Sequence, residues 1–167
     1  MNTTKPKTLF ICCCDNRIVP HIFSPTEQDE LFVIRNIGNI IPPYEEEEHS
    51  VRSAIEFAME YVHIPEIILC GHSDCGGMKA TLKGVEKSSS LGKWLNYATP
   101  VGTITSPEEL SKANVLHQIE NLKQYPYVAK GLKEQRLKIH AWWLDLVTDI
   151  IYVYNKKLKE WTLLEKN

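Results

Sequence analysis

Two short runs of metal-ligating residues, each at the end of an apolar strand-like segment, constrain this chain more than any other feature. The first is Cys12-Cys13-Cys14-Asp15-Asn16-Arg17, which follows Thr8-Leu9-Phe10-Ile11. The second is His72-Ser73-Asp74-Cys75-Gly76-Gly77, which follows Ile67-Ile68-Leu69-Cys70-Gly71. His72 and Cys75 read as two ligands of one soft metal, and a third ligand then comes from the earlier cysteine run. Thiolate and imidazole together suit Zn²⁺, and three protein ligands with an open position form a catalytic rather than a structural arrangement. A fold that satisfies both runs must bring two strand ends together, and open α/β sheets place ligands at strand ends of this kind. Either run alone carries little weight, since H-x-x-C arises by chance and an apolar cysteine run is ordinary core. Their joint placement carries the reading.

The chain has 167 residues, enough for one domain with a real core. Its formal net charge is −2, with no basic stripe, which argues against a nucleic-acid partner. Met1 to Lys7 contains no apolar leader segment, and no apolar run approaches membrane-spanning length, so the expected setting is cytoplasmic with no membrane partner. Five cysteines, three of them adjacent, make a poor disulfide framework and read as thiols or metal ligands.

The element pattern predicts an α/β fold, a mostly parallel β-sheet flanked by helices. Thr8–Cys13, Leu31–Arg35, Ile67–Cys70 and Leu137–Trp143 read as buried strands. Ile150–Tyr154 reads as a fifth strand and Trp161–Leu164 as a weaker extended piece. Ile40 to Tyr44 and the four glutamates after it read as a loop, with the acidic run a solvated surface rather than a cation site. Apolar periodicity predicts a helix over Ser50–His63, ended by Pro65. A further helix opens at Gly76, and one or two turns are expected in Leu91–Ala98. Ser106-Pro107-Glu108-Glu109 carries three signals of a helix start, for a helix running to about Tyr125, with a short one before Arg136.

Side chains alternate along a strand, so Cys13, Asp15 and Arg17 share one side, while Cys12 and Cys14 face the other. This favours Cys13 as the ligand, although alternation weakens where the strand becomes a loop. Asp15 can coordinate zinc itself, or pair with Arg17 and accept a proton from zinc-bound water. Arg17 can hold that carboxylate bidentately.

Cys13-x-Asp15-x-Arg17, Arg35-Asn36-Ile37-Gly38-Asn39, Ser53-Ala54-Ile55-Glu56-Phe57-Ala58 and Gly71-His72-x-x-Cys75-Gly76-Gly77 together resemble the β-class carbonic anhydrases in order and spacing. The resemblance continues through Trp94-Leu95-x-x-Ala98, Asn114-Val115-x-x-Gln118 and Leu137-x-Ile139-His140-Ala141-Trp142-x-x-Asp145. Among subgroups it looks closest to the bacterial enzymes associated with cyanate metabolism. The resemblance implies reversible hydration of CO₂ by zinc-bound hydroxide, with one Zn²⁺ per chain held by Cys13, His72 and Cys75. Asp15 and Arg17 become the dyad that orients the nucleophile, with Asp15 a fourth ligand in a closed form. Phe32, Ile37, Gly38, Phe57 and Gly76 fall where the family builds its CO₂ pocket. The implied fold has four parallel strands plus an antiparallel edge strand, in a single domain over residues 1–167 lacking the longer N-terminal helical arm of many relatives. The implied unit is a homodimer, or a higher homo-oligomer, whose pockets draw on both subunits.

Asn16 stands where the family usually has Ser, and Thr4 where a Gln often binds bicarbonate. Some β-class enzymes carry a second, non-catalytic bicarbonate site built from a Trp and an Arg. Arg35 matches the Arg, but Phe10 replaces the Trp and loses its N–H donor, and Cys12 crowds the space, so no such site is expected. Two alternatives to CO₂ hydration are a hydrolase of carbonyl sulfide or carbon disulfide, and a catalytically weak zinc-binding protein.

Overall fold

The structure, a computed structural model, describes residues 5–20 and 30–164. Thr4, flagged above for its missing Gln, lies outside these residues. Strand β1 (Thr8–Cys13) is buried at all six positions, as expected of a strand covered on both faces. It is flanked by β2 (Leu31–Asn36) and β3 (Glu66–His72), and β4 (Lys138–Asp145) lies beyond β3, all four parallel. β5 (Ile150–Asn155) and β6 (Glu160–Leu163) extend the sheet antiparallel, giving the order β2-β1-β3-β4-β5-β6. The sheet thus has six strands rather than five: the extended piece near Trp161 pairs with β5, which is not itself the edge.

Alternation sorts the strand residues onto two faces. Leu9, Ile11, Ile67, Leu69, Ile139 and Ala141 pack with Val51, Ile55, Val115, Ile119 and Leu122 from the helices on one side. Phe10, Cys12, Ile68, Cys70, Trp142 and Leu144 pack with Ile18, Met78 and Leu95 on the other.

The helices begin where the sequence signals place them. Helix α1 (Ser50–Glu56) continues as a π-helical segment, Phe57–Val62, ending at His63 in the left-handed region (φ 60°). Helix α2 (Gly76–Lys83) leaves directly from Cys75, and α3 (Ser90–Leu95) is short. Helix α4 (Pro107–Lys123) is capped by Ser106, whose side chain accepts from the Glu109 N–H, with Pro107 in its first turn. Helix α5 is Pro126–Lys133. Gly71 lets α4 sit tight on β3, since a Cβ there would lie 2.5 Å from Val115 Cγ2.

In the loop after β2, Ile40, Ile41 and Pro42 are buried, and the acidic run departs from a solvated surface only at its last residue. Glu45 to Glu47 are exposed, but Glu48 accepts from the Ser50 and Val51 N–H groups, both at 2.9 Å, satisfying donors that α1 leaves free. Among the described residues no helix is long and apolar enough to cross a membrane.

Candidate metal centre

The carboxyl ends of neighbouring strands build the site. β1 and β3 run in register with Cys12 beside Cys70, so Cys13 arrives next to the end of β3. His72 is the last residue of β3, and Asp74, in a left-handed conformation (φ 57°), turns the chain so that Cys75 comes back toward it. The ligand atoms of Cys13, His72 and Cys75 all lie within 4.8 Å of one another, and the three residues are 4%, 0% and 1% exposed. Both ring nitrogens of His72 are buried without a hydrogen-bond partner. A wholly buried imidazole normally satisfies its nitrogens, so the orphaned pair, facing two thiols, fits a bound metal. Two soft sulfurs and one imidazole suit zinc.

The Cys13 thiol already favours this use, while the bond to Cys13 and burial push the neighbouring Cys75 thiol up. The neighbouring Cys75 thiol, with the His72 ring close by and the Gly38 N–H on its sulfur, holds the Cys13 pKa well below the ordinary thiol range, against the opposing effect of burial. The Gly38 N–H donates to Cys13 Sγ at 3.4 Å. Cys12 is 0% exposed, and burial pushes its thiol up to about 12. Cys14 is exposed. The two do not share a side as strict alternation would have it, because β1 ends at Cys13.

Asp15 and Arg17 form a bidentate pair: Arg17 Nε donates to Oδ1 at 2.9 Å and Nη2 to Oδ2 at 2.7 Å. The Arg17 backbone N–H adds a bond to Oδ1 at 3.0 Å. The Arg17 side chain holds the Asp15 carboxyl well below the usual carboxylate range. Arg17 also donates from Nη1 to Asp74 Oδ2 at 3.1 Å, and Asp74 pairs with Lys79 as well. Arg35 braces the whole loop, donating to the carbonyls of Cys13 (3.2 Å), Asp15 (2.7 Å) and Ile18 (2.9 Å). No local sequence signal marks Asp74 or Arg35 for these roles, since both contacts are long-range.

A cavity of about 460 Å³ opens on Cys13, with Asp15, Asn16, Ile37, Gly76, Ala80 and Leu91 on its wall. A neighbouring hollow of about 480 Å³ is slightly larger but touches none of the three ligands. Of the five expected pocket residues, Ile37 and Gly76 line the metal cavity. Gly38 lies behind Ile37 with its N–H on the sulfur. Phe32 and Phe57 are not on this wall. Their ring centroids are 6.1 Å apart, and Phe57, 49% exposed, stacks on Tyr61 at 5.5 Å. Alignment to a motif places a residue in the chain, but not on its own subunit's pocket.

Residues 8–151 match the family model described as carbonic anhydrase. The chain belongs to the carbonic anhydrase family. A Pseudomonas aeruginosa carbonic anhydrase is 37% identical over 153 residues, covering 84% of this chain and 70% of that one. The solved structure of the β-carbonic anhydrase CcaA superposes with a TM-score of 0.87 at 30% identity, covering 98% and 80% of the two chains. A tetrameric β-carbonic anhydrase of Sordaria macrospora has a TM-score of 0.78 at 27% identity, covering 90% and 81%. The class is therefore β, and the reaction is the reversible hydration of CO₂. A zinc ion held by Cys13, His72 and Cys75 would supply Lewis acidity, the general means by which zinc enzymes make water nucleophilic near neutral pH.

Proposed function

We propose that this carbonic anhydrase works with one zinc ion per chain, held by Cys13, His72 and Cys75, and with Asp15 and Arg17 as its orienting pair. The observation that carries the assignment is the buried S, N, S cluster with both His72 nitrogens unpartnered. Asp15, held as a carboxylate, can only accept hydrogen bonds. With Arg17 on both of its oxygens, its remaining lone pairs select a hydroxyl donor at the cavity. Arg17 keeps that carboxylate off the metal and offsets part of the charge of two thiolates. Ile37, Ala80 and Leu91 give the cavity an apolar wall, which suits a substrate without charge or dipole.

The working unit in this reading is a homodimer or larger assembly. Phe57 and Tyr61, stacked on each other beside Phe32, are 49% and 70% exposed, an aromatic surface that small soluble proteins normally cover. Phe32 and Phe57 then reach the partner's cavity rather than their own. A cytoplasmic setting is consistent with five free thiols.

Zinc analysis with stopped-flow CO₂ hydration tests the reading. We expect one zinc per chain, loss of hydration with a chelator, and its return on adding zinc. A purified chain that takes up no zinc overturns the ligand assignment. Turnover of carbonyl sulfide without CO₂ hydration overturns the substrate.

A further inference from the structure

One face of α4 takes no part in the chemistry above, yet it is polar and deeply buried. Ser111, Asn114, Gln118 and Asn121 recur at helical spacing and are 2%, 1%, 0% and 5% exposed. Polar groups in a core cost stability unless each finds a partner, and each does here. Ser111 Oγ donates to the His72 carbonyl at 2.8 Å. The Ile41 N–H donates to Gln118 Oε1 at 2.8 Å, and Asn121 Nδ2 donates to the Ile41 carbonyl at 2.9 Å. The stripe therefore fastens the end of β3 and the loop after β2 to a single helix.

Asn114 is the member that reaches Gly38, the residue whose N–H bonds to Cys13. Its Nδ2 donates to the Gly38 carbonyl at 2.9 Å. Its Oδ1 accepts from the Thr99 N–H at 3.1 Å and from Gln118 Nε2 at 3.0 Å. With two donors on the oxygen, the amide has one orientation only, and the NH₂ must face Gly38. Gly38 stands at φ 74°, a conformation that L side chains rarely adopt, so nothing local holds it in place. The preceding carbonyl, of Ile37, accepts from Trp94 Nε1 at 2.8 Å. Gly38 is thus held through the peptides on both of its sides, by Trp94 before it and Asn114 after it, while its N–H points at Cys13 Sγ, 3.4 Å away.

We propose that Asn114 is a positioning residue for the metal centre: through the Gly38 carbonyl it aims the Gly38 N–H at the Cys13 sulfur. This rests on the reading above that Cys13 holds the metal. A hydrogen bond to a ligating sulfur withdraws charge from it, so the metal keeps more of its Lewis acidity, and partners of this kind tune metal sites generally. Asn114→Asp preserves shape and both acceptor contacts but sets a carboxylate oxygen against the Gly38 carbonyl, turning the peptide away.

The test uses the cobalt- and cadmium-loaded full chain. In wild type, amide-labelled NMR should show scalar coupling between cadmium and the Gly38 N–H across the sulfur. Asn114→Asp should lose that coupling and shift the thiolate-to-cobalt charge-transfer band to lower energy. It should also bind zinc about tenfold or more weakly, as changes at such outer partners typically do. Asn121→Ala removes a bond of the same stripe farther from the metal, so it should lower the melting temperature and leave the band unmoved. A folded Asn114→Asp chain with wild-type coupling and band overturns the proposal, as does an equal band shift in Asn121→Ala. If Asn114→Asp does not fold, wild type decides alone: bound cadmium without Gly38 coupling overturns the proposal. A chain that takes up neither metal instead overturns the ligand assignment beneath it.

Discussion

Cys13 stands between two other thiols, and only its sulfur meets His72 and Cys75. Cys13→Ser should therefore lose zinc and CO₂ hydration, whereas Cys14→Ser, on an exposed side chain, should keep both. Cys12→Ser should keep zinc at some cost in stability, since a hydroxyl replaces a thiol at a site 0% exposed. Metal analysis with melting curves checks all three, and zinc loss in Cys14→Ser alone would refute the assignment. Arg35 yields a second expectation at this scale. In some β-class relatives the matching Arg helps bind a non-catalytic bicarbonate, but here its Nε and Nη2 donate to three carbonyls of the ligand loop. Phe10, where those relatives have Trp, is 0% exposed with its ring edge-on to Trp142 at 6.2 Å. An anion there would find few donors to replace its hydration. Hydration rates should fall hyperbolically with added bicarbonate, and a sigmoidal curve would contradict this.

Elements transmit packing to the site, and Gly71 shows how. A methyl at that position would meet Val115 Cγ2 at 2.5 Å, pushing α4 away from β3 one residue before His72. Gly71→Ala should cost about 1–3 kcal/mol, in the range of overpacked cores. Adding Val115→Ala should recover part of that loss, because it vacates the contested space, and chemical denaturation of both variants reads the coupling. The turn after β4 makes a different link. Asp145 accepts from the Val147 N–H at 2.9 Å and from Ser73 Oγ at 3.4 Å, next to His72. The backbone bond from Val147 and the Ser73 hydroxyl help hold its carboxyl below the ordinary range. A depressed folded-state pKa contributes stability above the unfolded value, and that stability is lost as pH falls toward the folded one. Asp145→Asn should thus flatten the acid side of a plot of melting temperature against pH, below about pH 4. An unchanged slope would show that the carboxylate contributes nothing there. The strands and the start of α4 were legible in the sequence because apolar runs and caps are local signals. The π-helical segment, the pairing of β6 with β5 and the Glu48 cap were not, since each depends on what the rest of the chain packs against it.

At the scale of the whole molecule, the clustering of Cys13, His72 and Cys75 and the Asp15–Arg17 pair were readable because a few residues carry them, at two strand ends that the sheet brings together. The pocket wall was not. By resemblance Phe32 and Phe57 fall at substrate-pocket positions, yet they sit away from their own chain's cavity, in an aromatic row with Tyr61. A sequence lists pocket residues without saying which copy they serve. If a second copy supplies them, Phe57→Glu should do two things at once. A charge in an apolar interface is costly to desolvate, so the assembly should dissociate. The cavity should also lose part of its apolar wall while Cys13, His72, Cys75, Asp15 and Arg17 stay in place. Sedimentation should show monomers at concentrations where wild type is associated, with a full complement of zinc and CO₂ hydration reduced about tenfold or more, as expected when groups that position substrate are lost. Zinc retained with activity lost separates a shared pocket from a damaged metal centre. A monomeric Phe57→Glu chain with wild-type turnover would instead mean that each subunit completes its own site.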